Sequence, residues 1–308
     1  MSTQALQRRP VRKHASRHLA HYEAKAFYLM ISPWVIGFAA FTVGPIGASF
    51  FLSLTQYDVV RPPTFAGLHN YGRMLSDPLI RVTLYNTAYY ALISIPLSMA
   101  FTLALAILLN QKAWGNAVYR TAFYLPSIVP VVANCVLWIW LLQPQWGLVN
   151  YLLGRIGIKG PAWLASINWA KPALVMMAVW GAGASMIIFL AGLQGIPESL
   201  YEAASIDGAS SWRRFRHVTI PLLTPALFFQ FVMGIIGSFQ VFTAAYIMTG
   251  GGPVNATLFY VLYLYRHAFV HLNMGYASAL AWVLFAIVVA LTFVQFRLAS
   301  FWVYYEVG

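Results

Sequence analysis

Acidic residues are scarce in this chain: 308 residues hold seven Asp and Glu in all, one cysteine, and only 8% charged residues of either sign. An ordinary soluble domain has roughly 25% charged and about 45–50% apolar residues. Here 60% are hydrophobic, so a water-soluble fold could not cover its own surface. A single cysteine, Cys135, excludes a disulfide within the chain and leaves the redox compartment undetermined. No Gly-x-x-x-x-Gly-Lys-Ser/Thr loop is present to cradle nucleotide phosphates, and no His-Glu-x-x-His, Gly-x-Ser-x-Gly or Cys/His metal spacing occurs. An enzyme reading therefore has no chemistry to stand on. His14, His18 and His21 lie near helical spacing, but no cysteine or acidic pair completes a ligand set, and they read as part of a solvated basic tail.

What is present is a series of long charge-free runs. No Lys, Arg, Asp or Glu falls between Lys25 and Asp58, Arg81 and Lys112, Arg120 and Arg155, Lys171 and Glu198, Arg216 and Arg266, or Arg266 and Arg297. A helix needs about 20 apolar residues to cross a hydrocarbon core of roughly 30 Å, so each gap holds one crossing. The fifth gap is long enough for two. Pro221, Pro225 and the run Gly250-Gly251-Gly252-Pro253 leave room for one good span there. The chain reads as an all-α polytopic membrane protein of about six transmembrane helices. Barrel strands would alternate polar and apolar residues, whereas these runs are apolar on every side. Helices satisfy their backbone polar groups internally, as lipid demands. The first run begins near Phe27 and lacks the short apolar core and small-residue cleavage site of a removed signal peptide.

Orientation follows from the basic residues. Arg8, Arg9, Arg12, Lys13, Arg17 and Lys25 face one acid, Glu23, which predicts a cytoplasmic tail over 1–26 and a membrane domain over 27–308. Alternation then puts Lys112 and Arg120 on one inside loop, and Arg213, Arg214 and Arg216 on the next. The net charge of +12 reflects topology and anionic headgroups, and no basic stripe interleaved with aromatics points to nucleic acid.

Ion-coupled carriers place ionisable groups within their spans, and no predicted span core holds one. If the pathway is active, its energy must come from another subunit. The polar candidates within spans are Asn86, Asn134, Gln194, Gln230, Ser238 and Gln240, each able to bond a neutral solute or a neighbouring helix.

The most informative stretch is 197–221, between the fourth and fifth spans. Pro197 suits a first helical position and Glu198 a first turn, where negative charge meets the positive end of the helix dipole. Gly208 fits a left-handed cap, and Ser210 or Ser211 can cap a second helix that carries Trp212, Phe215 and Thr219 near one face. Pro221 is expected to restart the chain as it enters the membrane. Ala203 and Ala204 give the first helix a low-profile side for close approach to a partner.

Glu202-Ala203-Ala204, three residues, Gly208, nine residues, then Val218-Thr219-Ile220-Pro221 resembles the EAA loop of binding-protein-dependent ABC importer permeases. The usual ending is Ile-x-Leu-Pro, so Val218 and Ile220 are conservative departures. Asn70-Tyr71, Asp77-Pro78 and Asn86-Thr87 are similar to the approach to the second span in carbohydrate permeases. Tyr201, Ile206-Asp207-Gly208-Ala209, Trp212 and Phe215 resemble the same branch. Thr249-Gly250-Gly251-Gly252-Pro253, Ala256-Thr257, Tyr265, Phe269 and Gly275-Tyr276-Ala277-Ser278-Ala279 resemble the first permease of maltose or glycerol-phosphate importers. For the glycine run alone, a flexible outside turn is the plainer reading.

The resemblance implies a type I ABC importer permease fold in a bacterial inner membrane. It implies a second permease subunit, two cytoplasmic ATPase subunits, an extracytoplasmic solute-binding protein and surrounding lipid as partners. ATP and Mg would be used by the partner ATPase, with no cofactor on this chain. Glu202, Ala203, Ala204, Asp207, Gly208, Trp212, Phe215 and Pro221 would couple to the ATPase. The pathway would run between helices at about 172–196 and 222–247, with Met177, Trp180, Gly181 and Ala184 on one face and Gln230, Gly234, Gly237, Ser238 and Val241 on another. Small residues on such faces equally serve helix packing. The runner-up function is a passive channel or facilitator working alone, and a third reading is a scaffold that anchors an enzyme.

Overall fold

The computed structural model describes residues 13–111 and 114–304, with side chains from Tyr22 onward. Arg8, Arg9 and Arg12, the side chains of Lys13 to His21, and Lys112 lie outside the described residues. The chain divides into two units, Met1–Leu52 and Ser53–Gly308. In the first, α1 (Lys13–Phe38) passes through a π turn (Ala39–Val43) into α2 (Gly44–Ser53), giving an apolar run over Tyr22–Ser53.

The second unit opens with a small antiparallel hairpin, β1 (Thr55–Gln56) and β2 (Thr64–Phe65), followed by α3 (His69–Ser76). The long α4 (Pro78–Asn110) comes next, 33 residues or about 50 Å. Its start is set by Asp77, whose carboxylate accepts the Leu79 N–H at 3.0 Å, and by Pro78 in the first turn, where a missing N–H costs nothing. Then follow α5 (Asn116–Ile128), α6 (Val131–Leu141), α7 (Leu148–Arg155), α8 (Ala170–Trp180) and α9 (Gly183–Gln194). The short helices α10 (Glu198–Ile206) and α11 (Ser211–Arg214) precede α12 (Ile220–Phe239), α13 (Thr243–Met248), α14 (Tyr260–Tyr265) and α15 (Met274–Trp302).

Among the described residues, four helical runs are long and apolar enough to cross a membrane unbroken: Tyr22–Ser53, Pro78–Asn110, Ser211–Phe239 and Met274–Trp302. The third and fourth expected spans are each two helices meeting at a bend. α5 and α6 bend by 100°, and α8 and α9 by 46°, so counting each pair as one span brings the total to six. Both breaks have a local cause. Pro130 removes a backbone donor just after α5, with Pro126 a turn earlier, and Gly181 and Gly183 flank the α8–α9 break. Arg120, expected on a loop, lies within α5, where its Nη2 donates to Leu109 O at 3.0 Å. The fifth span ends earlier than expected, at Phe239, with α13 a separate short helix.

α4 is central, packing against α8, α9 and α12. Two apolar cores form along it. One gathers Tyr90, Trp138, Leu174, Phe259, Tyr260 and Tyr276 toward the Asp77 end of α4. The other gathers Leu105, Leu109, Phe189, Leu193 and Leu223 toward its far end. The stretch of α4 between them, around Ser94 and Ser98, belongs to neither.

Candidate functional site

Three features stand out: a loop, a groove and a tied end. In the loop, α10 begins one residue later than expected, because Pro197 is extended (φ −58°, ψ 132°) and Glu198 opens the helix. Gly208 ends it with φ +74°, and Gly208 N–H bonds Ser205 O at 3.1 Å while Ala209 N–H bonds Ala204 O at 2.9 Å. A Cβ at Gly208 would meet nothing within 4 Å, so its requirement is conformational, not steric. Ser210 caps α11, its Oγ accepting the Arg213 N–H at 3.4 Å.

The second loop helix does not stop at Pro221. α11, a π turn over Phe215–Thr219 and α12 make one continuous helical run, Ser211–Phe239. The π turn immediately precedes Pro221, which has no N–H to give and lies in the first turn of α12. Two contacts tie α10 to this run: the Tyr201 and Thr219 hydroxyls are 3.0 Å apart, and Arg214 Nη1 donates to Ser205 Oγ at 3.0 Å. Glu202, Ala203, Asp207, Gly208 and Trp212 are exposed, with Ala204, Phe215 and Pro221 half-buried. Ile206 is 87% exposed and Trp212 66%, an apolar display on a short, braced element.

The groove, of about 320 Å³, lies between α4, α8, α9 and α12. Tyr90, Ser94 and Ser98 of α4 line it, four residues apart on one helical face. Gln230, Gly234, Gly237 and Ser238 of α12 line the opposite wall, with Val241 just beyond the helix end. Gln230 Nε2 is buried with no hydrogen-bond partner among the described residues. Gly234 is there for packing: a Cβ would approach Ile95 Cγ2 to 3.1 Å.

From the fourth span, the groove takes Ala178 and Ser185, not the expected Met177, Trp180, Gly181 and Ala184. Those four share a face only on an unbroken helix, and the 46° bend falls among them. Met177 is buried in the first core, and Trp180 packs edge-on against Trp138 at 5.9 Å and lines a separate apolar cavity with Phe123. A Cβ at Gly181 would touch Met177 O at 3.4 Å, and Ala184 is exposed. Ser94 and Ser98 of α4, which the sequence shows as a four-residue repeat, lie outside the spans that flank the loop.

At the Asp77 end, motifs far apart in sequence meet. Tyr263 and Tyr276 both donate to the Asp77 carboxylate, Tyr276 at 2.7 Å. Burial pulls the Asp77 pKa upward, but the Tyr263, Tyr276 and Leu79 hydrogen bonds outweigh it and hold the carboxyl below its usual value. The Arg73 guanidinium sits 4.5 Å over the Tyr276 ring, and His267 lies edge-on to Tyr263 and Tyr276 at 4.6 and 4.8 Å. Burial, then the neighbouring His271 and Arg73, push the His267 pKa down to about 4.

Asn86 Nδ2 donates to Asn255 O at 2.8 Å and Leu258 O at 3.1 Å, and Thr87 Oγ1 accepts the Tyr260 N–H at 3.0 Å. The glycine run is built into this end. Thr257 Oγ1 donates to Gly252 O, and Arg266 Nη2 donates to Gly250 O. At Gly275 a Cβ would fall 2.2 Å from Thr55 O, so only glycine lets α15 start there.

Comparison with known proteins agrees with this architecture. Residues 91–302 match the family described as "Binding-protein-dependent transport system inner membrane component". The Bacillus subtilis (strain 168) protein named "Probable ABC transporter permease protein YesP" is 46% identical over 286 residues, 91% of this chain and 92% of that protein. The trehalose/maltose transport system permease protein MalF of Thermococcus litoralis is 35% identical over 92% of this chain and 96% of its own length. A solved bacterial ABC transporter involved in import of the acidic polysaccharide alginate has the same fold, with a TM-score of 0.79 at 21% identity, covering 91% of this chain and 96% of that one. A multi-pass helical chain with a braced polar loop continuous with a groove-lining helix thus falls with its relatives, and it belongs to the family of inner-membrane permease subunits of binding-protein-dependent ABC importers.

Proposed function

We propose that this chain forms half of the translocation pathway for a sugar, polyol or sugar-phosphate solute and is driven by separate cytoplasmic ATPase subunits. The observation that carries the reading is the continuity of Ser211–Phe239: one unbroken helical run joins the loop to the groove wall. A force on the loop therefore moves Gln230 and Ser238, about 27–39 Å along the helix from Trp212. A flexible linker would dissipate that force.

In this reading the 1–26 tail and the 197–221 loop face the cytoplasm, and 27–308 is the membrane domain. Glu202, Ala203, Ala204, Asp207, Gly208, Trp212, Phe215 and Pro221 form or support the face that docks on the ATPase. That partner binds and hydrolyses ATP with Mg, and this chain carries no cofactor. A second, different permease covers the open side of the groove, two ATPase subunits lie beneath, and a solute-binding protein delivers cargo at the Asp77 end. The solute contacts Gln230, Ser238 and Val241 beside Gly234, together with Tyr90, Ser94, Ser98 and Ser185. Hydroxyl and amide groups beside an aromatic ring suit a polyhydroxylated solute. Met177, Trp180, Gly181 and Ala184 have packing roles or lie outside the groove. The names of relatives, which include trehalose/maltose, lactose and glycerol-phosphate systems, support the carbohydrate class.

Affinity purification of the tagged chain from its native host, followed by reconstitution in proteoliposomes, tests the proposal. The expected result is recovery of a second permease and an ATPase pair, with uptake that requires ATP. Solute flux through the purified chain alone would establish the passive facilitator instead, and recovery of an unrelated enzyme would establish the scaffold.

A further inference from the structure

The four helices around the groove, α4, α8, α9 and α12, contain no acidic residue and two basic ones, Arg81 and Lys171. Arg81 is exposed, whereas Lys171 is half-buried and turned onto α4, its Nζ 3.0 Å from Asn86 Oδ1. Asn86 stands at the head of the four-residue series that continues through Tyr90, Ser94 and Ser98 into the groove. On α8, Lys171 and the groove-lining Ala178 are seven residues apart, two turns on one face and about 10 Å in rise. Both walls of the seam therefore place the ammonium above the groove, at its Asp77 end.

The partners of this ammonium are all neutral. One is the Asn86 side-chain oxygen, and the others are the rings of Tyr85 and Tyr89, each 4.8 Å from Nζ. No carboxylate pairs with it among the described residues. Neutral dipoles and ring faces hold a cation in place without cancelling its field, and partial withdrawal from water strengthens that field toward anything entering the seam. Tyr85, 62% exposed, offers a ring face beside the charge.

We propose that Lys171 is an anion-recognition point at the mouth of the groove and that the carried solute is a sugar derivative bearing a negative group. The ammonium takes the carboxylate, phosphate or sulfonate while Tyr85 stacks on the ring. This deepens the proposed pathway function and rests on the groove being the pathway.

The test is ATP-driven uptake by the complete reconstituted importer, with its binding protein saturated by each of three probes: a diuronic acid, the methyl ester of that acid, and a hexose phosphate. The wild type is expected to carry at least one anionic probe about tenfold faster than the neutral ester, the preferred anion distinguishing carboxylate from phosphate. Lys171→Met is expected to lower anionic uptake about tenfold and leave the ester unchanged, with Lys171→Arg retaining most of it. Equal uptake of acid and ester by the wild type overturns the proposal, as does a Lys171→Met effect of equal size on all probes. Loss of the second permease from purified Lys171→Met complexes would assign the lysine's counter-charge to that subunit and also overturn it. Ser238→Leu separates the two readings. If that variant carries every probe normally, the groove is not the pathway; if it blocks uptake while the wild type ignores charge, only the anion proposal fails.

Discussion

The Asp77 end and the Glu202 loop lie at opposite ends of the same helices and are held in opposite ways. At the Asp77 end, side chains from α4, α14 and α15 bond one another and the backbone in a largely buried network. At the loop, the named residues are mostly exposed, and the ties are a hydroxyl pair and one arginine bond. Buried polar groups are costly unless paired, so the tied end is a fixed anchor. The loop is stiff within itself yet leaves its apolar face uncovered, as a handle for a partner requires. In the proposed function, the same helices have one end that holds position and one that receives force.

The largest expected effect on this contrast is at Asn86. Asn86→Leu leaves Asn255 O and Leu258 O without their donor and is expected to cost about 3 kcal/mol of stability, read as a lowered thermal midpoint in detergent. A loss below about 1 kcal/mol would mean that this end is not an anchor. Asp77→Asn weakens the pairing with Tyr263 and Tyr276 and is expected to cost about 2 kcal/mol by the same measurement.

Gly208→Val has the reverse profile. The left-handed φ of +74° disfavours valine by about 1–2 kcal/mol, but the strain is confined to an exposed loop. Membrane insertion is expected to stay near wild type and the thermal midpoint to fall less than in Asn86→Leu, with solute-stimulated ATP hydrolysis falling about tenfold. Normal coupling in that variant would remove the handle role.

A pH effect follows from His267, whose pKa is lowered to about 4 on folding from an ordinary 6.5. The unfolded chain takes up the proton first, so this contribution to stability is complete above about pH 6.5 and declines as pH falls toward 4. Asp77 acts in the same direction lower down, its contribution present above its ordinary value of 3.8 and lost as pH falls through its depressed pKa. His267→Gln is expected to flatten the decline between pH 6.5 and 4, and an unchanged slope would assign it elsewhere. The smallest effect is at Trp212, 66% exposed: Trp212→Ala is expected to shift stability by no more than about 0.5 kcal/mol while weakening ATPase co-purification.

Much of this was legible in the sequence because the signals are local. Charge-free gaps count the spans, and Pro197 to Gly208 to Ser210 punctuate the loop within a few residues of where its helices start and stop. What was missed depends on geometry that hydropathy does not encode. Pro130 and the Gly181–Gly183 pair break two spans without interrupting their apolar character, and the second break rotated Met177 and Ala184 off their expected common face. The π turn at Phe215–Thr219 carried Pro221 inside a helix that a proline would ordinarily begin. The meeting of Asn86 with Asn255 and of Asp77 with Tyr276 spans more than half the chain, a long-range pairing that local periodicity does not specify.

Site-specific cross-linking tests the central claim most directly, because the native Cys135 is buried and leaves the background clear. In the assembled importer, Ala203→Cys carrying a short bifunctional reagent is expected to join this chain to the ATPase subunit, with access from the cytoplasmic side alone. Labelling from the opposite side, or a fully assembled complex in which position 203 never reaches the ATPase, would contradict the account.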